Sequence, residues 1–184
     1  MTDLVGAARA FAEDRHRDQR RKDAGASPYV THVAEVAALT EGFGGGVVEI
    51  AAAWLHDTVE DCPPTSHDEL AAAFGAEVAA IVGALTDDKS LPKAERKRMQ
   101  VVNAPSKSSG AALVKICDKI SNCRAVAETP PVTWSVARRL AYLDWSVEVV
   151  TVLPPHHPAA RAHFDGVIRA ARARIAVEAD HSVQ

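Results

Sequence analysis

Residues 54–62 read WLHDTVEDC, so His56, Asp57, Glu60 and Asp61 follow two bulky apolar residues with no break between them. Imidazole nitrogens and carboxylate oxygens are ligands for divalent cations, and the same carboxylates can pass protons to and from reacting oxygens. On a helix each residue turns about 100°, which puts Asp57 near 100°, Glu60 near 40° and Asp61 near 140° from His56. All four fall in one wedge beside the apolar stripe of Ala52, Trp54 and Leu55. Like charges at the edge of a core repel one another, and burying unpaired carboxylates costs several kcal/mol. One divalent cation offsets two such ligands at once. The plainer explanation, an acidic and solvated last helical turn, stands beside it.

A metal site needs further ligands, and two stretches offer them. In PYVTHVAEVAAL, His32 sits among Val30, Val33, Val36 and Ala37; a lone histidine on such a face is more often a satisfied core residue. In ALVKICDKISNCR, Asp118 and Asn122 stand four apart after a strongly apolar run, where an aspartate is unusual unless paired. A salt bridge to Lys115 or Lys119 would also account for it. Together His32, His56, Asp57 and Asp118 form a two-histidine, two-aspartate set that suits an ion such as Mn²⁺. The absence of thiolates disfavours structural zinc. Two basic groups could meet an anion: Arg20, Arg21 and Lys22, and then Lys89, Lys93, Arg96, Lys97 and Arg98. The second group points around its helix, so one or two of its members are expected at a phosphate and the rest in solvent. His156 and His157, in PPHHP, read as surface residues.

These side chains must be held by helices, because the apolar spacing is helical nearly everywhere. Leu4, Ala7, Ala8 and Phe11 begin a first helix that turns basic through Arg15 to Lys22. Ser27-Pro28 reads as an N-cap and first helical residue, opening a helix to Phe43 with Val33, Val36, Ala37 and Leu39 inward. A third helix spans Val47 to Glu60 and stops before Pro63-Pro64. Ser66 and Glu69 mark the next start. Further helices are expected over 76–86, 92–103, 108–127, 132–152 and 158–177. The fold class is therefore all-α, a single domain over residues 1–178 of about eight to ten helices at several crossing angles, with 179–184 a frayed tail.

The chain has 184 residues, 47% hydrophobic and 24% charged, enough for one real core. A net charge of −3 argues against a general nucleic-acid binder. No signal peptide opens the sequence, and no stretch reaches the ~20 apolar residues of a membrane span. Cys62, Cys117 and Cys123 form no CxxC pair and read as reduced thiols of a cytoplasmic protein.

The stretches HRDQRRKD, PYVTH, LHDTVED, LTDDKSLPKAERKRMQV and LVKICDKISNCR, spread over about residues 8–150, resemble the HD-domain hydrolases. Within these the chain is similar to the (p)ppGpp hydrolase domain of the RelA/SpoT homologues, and above all to the stand-alone small alarmone hydrolases. The resemblance implies Mn²⁺ bound by His32, His56, Asp57 and Asp118, with Glu60 and Asp61 positioning or activating the attacking water. It also implies that Asn122 lines the nucleotide pocket and that Arg21 and Lys22 contact base and phosphates. Arg138 and Tyr142 fall at substrate-contacting positions. The implied partner is a small nucleotide, ppGpp or pppGpp, cleaved to GDP or GTP and pyrophosphate, with no nucleic acid and no membrane. Two alternatives stay open: an NADPH 2′-phosphatase on the same scaffold, and a non-catalytic alarmone sensor. Cys117 and Ser121 depart from the family pattern next to the ligands, where they bear on the pocket wall and on redox sensitivity.

Overall fold

A computed structural model describes residues 3–181, along which ten α-helices and one 3-10 turn follow one another. They are α1 (Leu4–Arg15), α2 (Val30–Gly42), α3 (Val47–Leu55), α4 (Thr58–Asp61), α5 (His67–Phe74) and α6 (Ala76–Leu85). Then come α7 (Lys93–Asn103), the 3-10 turn (Ala104–Ser106), α8 (Ser109–Glu128), α9 (Val136–Val152) and α10 (Pro158–His181). Residues 182–184 of the tail lie outside the described residues. No helix among the described residues is long and apolar enough to cross a membrane.

α8 is the axis of the fold. Residues from Ala111 to Ser121 are buried without interruption, so this helix has no solvent face over that length. A helix apolar all round must be enclosed on every side. Here α2, α3, α6, α9 and α10 all pack against it. Asp118 therefore rides on the most enclosed segment of the chain.

The two histidines meet because α2 and α3 form a tight antiparallel pair. Gly44 takes φ of 84°, and at Gly45 a Cβ would lie 2.7 Å from Thr40 Cγ2 and 2.8 Å from its carbonyl oxygen. Only glycine fits so close a return. The first turn of α2, with His32, then lies beside the last turn of α3, which ends at His56.

Three expected elements differ. The helix over 47–60 is interrupted: His56 and Asp57 form a turn, with Asp57 at φ −101° and ψ −4°. Local hydrogen bonds hold that turn, from Thr58 Oγ1 to the Leu55 carbonyl at 2.7 Å and between His56 Nδ1 and the Ala53 carbonyl at 2.7 Å. Ser27-Pro28 does not cap α2. Pro28 pairs with Arg20 in an isolated antiparallel bridge, where Arg21 N–H bonds to Ser27 O at 2.8 Å and Tyr29 N–H to Gln19 O at 3.0 Å. The same bridge ends the first helix at Arg15 instead of carrying it through Lys22. Ser66 does cap α5, accepting from Glu69 N–H at 3.2 Å.

Arg139 closes the lower end of the axis. It is buried, donates to the Val126 and Ala127 carbonyls at 2.8 and 3.1 Å, and reaches Glu178 at 2.6 Å. Those carbonyls belong to the last turn of α8, where intrahelical donors run out. Arg139→Met is expected to cost about 2–4 kcal/mol by urea denaturation, because it strands two buried acceptors. Arg9→Ala, which breaks an exposed pair with Glu13 and a 5.8 Å contact with the Trp54 ring, should cost no more than about 1 kcal/mol.

Candidate metal centre and basic cavity

His32 and His56 turn their Nε2 atoms toward the same two carboxylates. His56 Nε2 lies 3.2 Å from Asp57 Oδ2 and 3.9 Å from Asp118 Oδ1; His32 Nε2 lies 3.7 and 3.4 Å from the same atoms. Both imidazoles are buried, with 2% and 3% exposure for His32 and His56. The break at His56–Asp57 allows the convergence, since adjacent residues of a continuous helix point about 100° apart.

The proton positions follow from the far side of each ring. His56 Nδ1 faces only a carbonyl acceptor, Ala53 O, so it carries the proton. His32 Nδ1 lies 2.9 Å from Ser121 Oγ, whose hydroxyl donates to Glu35 Oε2 at 2.6 Å. That hydroxyl can then only accept from His32, and Glu35 is anchored in turn by Arg124. Both Nε2 atoms thus present bare lone pairs to carboxylates that are themselves acceptors. His56 Nε2 is buried with no hydrogen-bond partner at all. Acceptors crowded face to face call for a cation between them, and the donor set of two imidazoles and two carboxylates fits a divalent metal. Ligand atoms of His32, His56 and Asp118 lie within 4.8 Å of one another.

Asp118 serves two sides. Oδ1 faces the histidines and accepts from Asn122 Nδ2 at 2.6 Å, while Oδ2 lies 3.6 and 3.9 Å from the ammonium groups of Lys115 and Lys119. The ion pair and the ligand position, alternatives in the sequence, coexist on one carboxylate. Burial works against its charge, yet the Lys115 and Lys119 ammonium groups hold its pKa well below the usual range. Burial likewise opposes the charge of Asp57, and a 2.6 Å hydrogen bond from Tyr29 Oη favours it.

Glu60 behaves in the opposite way. Burial raises its pKa, and the Asp87, Asp57 and Asp61 charges add to the rise against a hydrogen bond from Asp87 N–H at 3.2 Å. Asp61 stands at the mouth, paired with Lys89. Gln19 Nε2 donates to the Asp61 carbonyl at 2.7 Å, while its Oε1 lies 2.7 Å from His16 Nδ1.

Beside the four ligands opens a cavity of about 280 Å³, and an adjoining one of about 210 Å³ shares Tyr29, Asn122, Trp134 and Tyr142 with it. Lys93, Arg96, Lys97 and Arg138 line the first; Arg20, Arg21 and Lys22 line the second. Burial lowers the Lys93 and Lys97 pKa values, and repulsion from Arg138 and from each other's neighbourhood adds to it. From the group over 89–98, Lys89 is spent on Asp61 and Arg98 on Glu95. Arg138 stacks on Trp134 at 4.5 Å, and Tyr142 lies between Trp134 and Trp145 at 5.4 and 5.3 Å. His156 and His157 line neither cavity; His157 contacts Ser109.

Several residues were not singled out from the sequence: Tyr29, Trp134, Trp145 and the His16–Gln19 pair. Composition held a usable signal. The chain has three tryptophans and two tyrosines, and two of the former and both of the latter line this cavity. The departing Cys117 faces the core instead of the pocket, with burial pushing its thiol up to about 12, so it adds no reactive thiolate. Ser121 is the hydrogen-bond partner of His32.

A family model for the HD domain matches residues 8–143. The guanosine-3′,5′-bis(diphosphate) 3′-pyrophosphohydrolase MESH1 of Danio rerio is 49% identical over 142 residues, covering 76% of this chain and 78% of that protein. The Homo sapiens MESH1 is 46% identical over 142 residues, covering 76% and 79%. A solved metazoan orthologue of SpoT, described as hydrolysing ppGpp and acting in starvation responses, superposes with a TM-score of 0.87 at 35% identity, over 92% of this chain and 96% of its own. A Listeria monocytogenes structure shares the fold at a TM-score of 0.65 and 22% identity, over 77% and 99% of the two chains.

Removing the hydroxyl that orients His32 tests the outer hydrogen-bond ring. Ser121→Ala is expected to weaken divalent-metal binding about 10- to 100-fold by calorimetric titration, with the thermal midpoint little changed.

Proposed function

The chain belongs to the HD domain family, among the MESH1-type pyrophosphohydrolases, and on that premise we propose that it hydrolyses (p)ppGpp at the 3′ position, releasing pyrophosphate and GDP or GTP. Mn²⁺ is the ion we assign to His32, His56, Asp57 and Asp118. The observation that carries this reading is the pair of bare imidazole nitrogens facing two anionic carboxylates, next to a cavity walled by cations and aromatic rings. When bound, a divalent ion supplies Lewis acidity at the phosphoryl group and acidifies a water.

The chain's own residues do the rest. Water attacks the phosphorus attached to the ribose 3′ oxygen; that P–O bond breaks, and a proton must reach the departing oxygen. Glu60, whose burial favours its protonated form, and Asp61 at the mouth are the groups placed to accept and deliver that proton. Lys93, Arg96, Lys97 and Arg138 offset the diphosphate charge, and Asn122 steadies Asp118 beside the nucleotide. Tyr142 and Trp134 offer flat faces to base or ribose, with Arg21 and Lys22 across the adjoining cavity. Three buried free thiols accord with a cytoplasmic setting.

Purified protein incubated with ppGpp should release pyrophosphate with Mn²⁺ and not with EDTA. Asp57→Ala should abolish both ion binding and turnover. Glu60→Ala should slow turnover about 10²–10⁴-fold while the ion still binds. Tight ppGpp binding without turnover would make the chain a sensor. Phosphate release from NADPH that outpaces pyrophosphate release from ppGpp would make it a 2′-phosphatase.

A further inference from the structure

We infer that Trp145 is a positioning residue whose indole holds the ammonium groups of Lys97 and Lys119 at the cavity wall, ready for the oxygens of a diphosphate. This rests on the reading that the cavity receives a phosphorylated nucleotide.

The two ammonium groups come from different helices, Lys97 from α7 and Lys119 from α8, yet both lie on the same ring. Their Nζ atoms stand 4.4 and 3.8 Å from the Trp145 ring centroid, and 5.5 and 5.8 Å from that of Tyr142. Both lysines and both rings line the cavity. Trp145 also donates its indole N–H to the Lys97 carbonyl at 3.1 Å, which ties α7 to α9 at the residue whose side chain it supports. That tie matters because α7 contains no buried residue. Polar links of this kind, including Lys119 Nζ to Gln100 Oε1 at 3.3 Å and Arg96 against Glu60 at 3.7 Å, add to the packing of Val101 against the core in setting its place.

An aromatic support differs from a carboxylate in its effect on charge. A carboxylate in hydrogen-bond contact would cancel much of the field that the ammonium projects, whereas a ring quadrupole orients the cation and leaves its unit charge intact. The contrast is present nearby: Lys89, in the loop before α7, and Arg98, on α7, hydrogen-bond to carboxylates and do not line the cavity. Lys97 is held by rings instead, and Lys119 by a ring with Asp118 Oδ2 at 3.9 Å. Trp134 and Arg138 extend the arrangement, so three rings and three cations form a row along one wall.

The experiment is a calorimetric titration of inorganic pyrophosphate into the protein with EDTA present, paired with ppGpp kinetics under Mn²⁺. Trp145→Leu should weaken pyrophosphate binding about 5- to 30-fold, the range expected for losing two cation–ring contacts. Its KM for ppGpp should rise by a similar factor with kcat within about threefold, and Trp145→Phe, which keeps a ring, should restore most of the affinity. Lys97→Met should weaken pyrophosphate binding by itself, and adding Trp145→Leu should then cost less than it does alone, because the residues act through one another. Wild-type affinity in a folded Trp145→Leu protein, or strictly additive losses, would overturn the inference. Should Trp145→Leu fail to fold, an unchanged affinity in Lys97→Met would overturn it equally. A wild-type protein that binds pyrophosphate in a Trp145-dependent way without cleaving ppGpp would sink the pyrophosphohydrolase reading and leave this one standing.

Discussion

Everything in this molecule bends around four hydrogen-bond acceptors that have been brought face to face at the edge of a hydrophobic core. Two imidazoles could have been buried as donors to the carboxylates beside them, which would have made a quiet polar cluster. Instead the outer nitrogens are committed, one to the Ala53 carbonyl and one to Ser121, so the inner nitrogens have no proton to give. Four lone-pair donors within a few ångströms are unfavourable without a cation, by several kcal/mol for the carboxylates alone. The fold tolerates that crowding because α8 and the α2–α3 pair are embedded in the apolar core. The site is preorganised, and an ion would meet its ligands already aimed.

α8 carries the consequence inward. A helix buried over eleven consecutive positions would normally be free of charge, yet this one includes Lys115, Asp118 and Lys119. They are tolerable together because each offsets another: one oxygen of Asp118 serves the histidines, and the other the two lysines. Lys119 is pushed down to about 8, burial being the main cause, with Asp118 pulling the other way. Removing Asp118 would therefore strand two buried cations as well as one ligand position.

The all-α class and most helix positions were legible in the sequence because apolar periodicity reports burial directly, and burial dominates helix placement. His32, Asp118 and the His56–Asp57 pair were legible as anomalies, polar residues where an apolar one was due. What periodicity could not reveal is the break in the helix at His56–Asp57, because two residues in a turn leave the surrounding pattern intact. The pairing of Arg20 with Pro28 escaped for a related reason. A single bridge has no repeating signal, and the Ser27-Pro28 dipeptide carries a helix-start signature that long-range pairing overrides. Tyr29 and Trp145 were hidden differently. Each fits a core role by spacing, and only three-dimensional proximity shows that they face a charged cavity.

The remaining question is how one small site keeps its carboxylates in different states. Asp57 accepts a hydrogen bond from Tyr29 and Asp118 lies against two lysines, which favour their anionic forms. Glu60, only three residues from Asp57, is buried among Asp57, Asp61 and Asp87, and its nearest cations stay 3.7 and 3.9 Å away. Its neutral form is favoured by the same charges that make its neighbours good ligands. Groups of one chemical kind, pushed apart in proton affinity by their surroundings, are how a fold runs acid and base chemistry at one pH. Here the separation needs no special residue. It follows from placing two acids on the histidine side of a helix break and a third one turn further on, toward the other acids. The break at His56–Asp57 thus both gathers the candidate ligands and sets Glu60 apart from them.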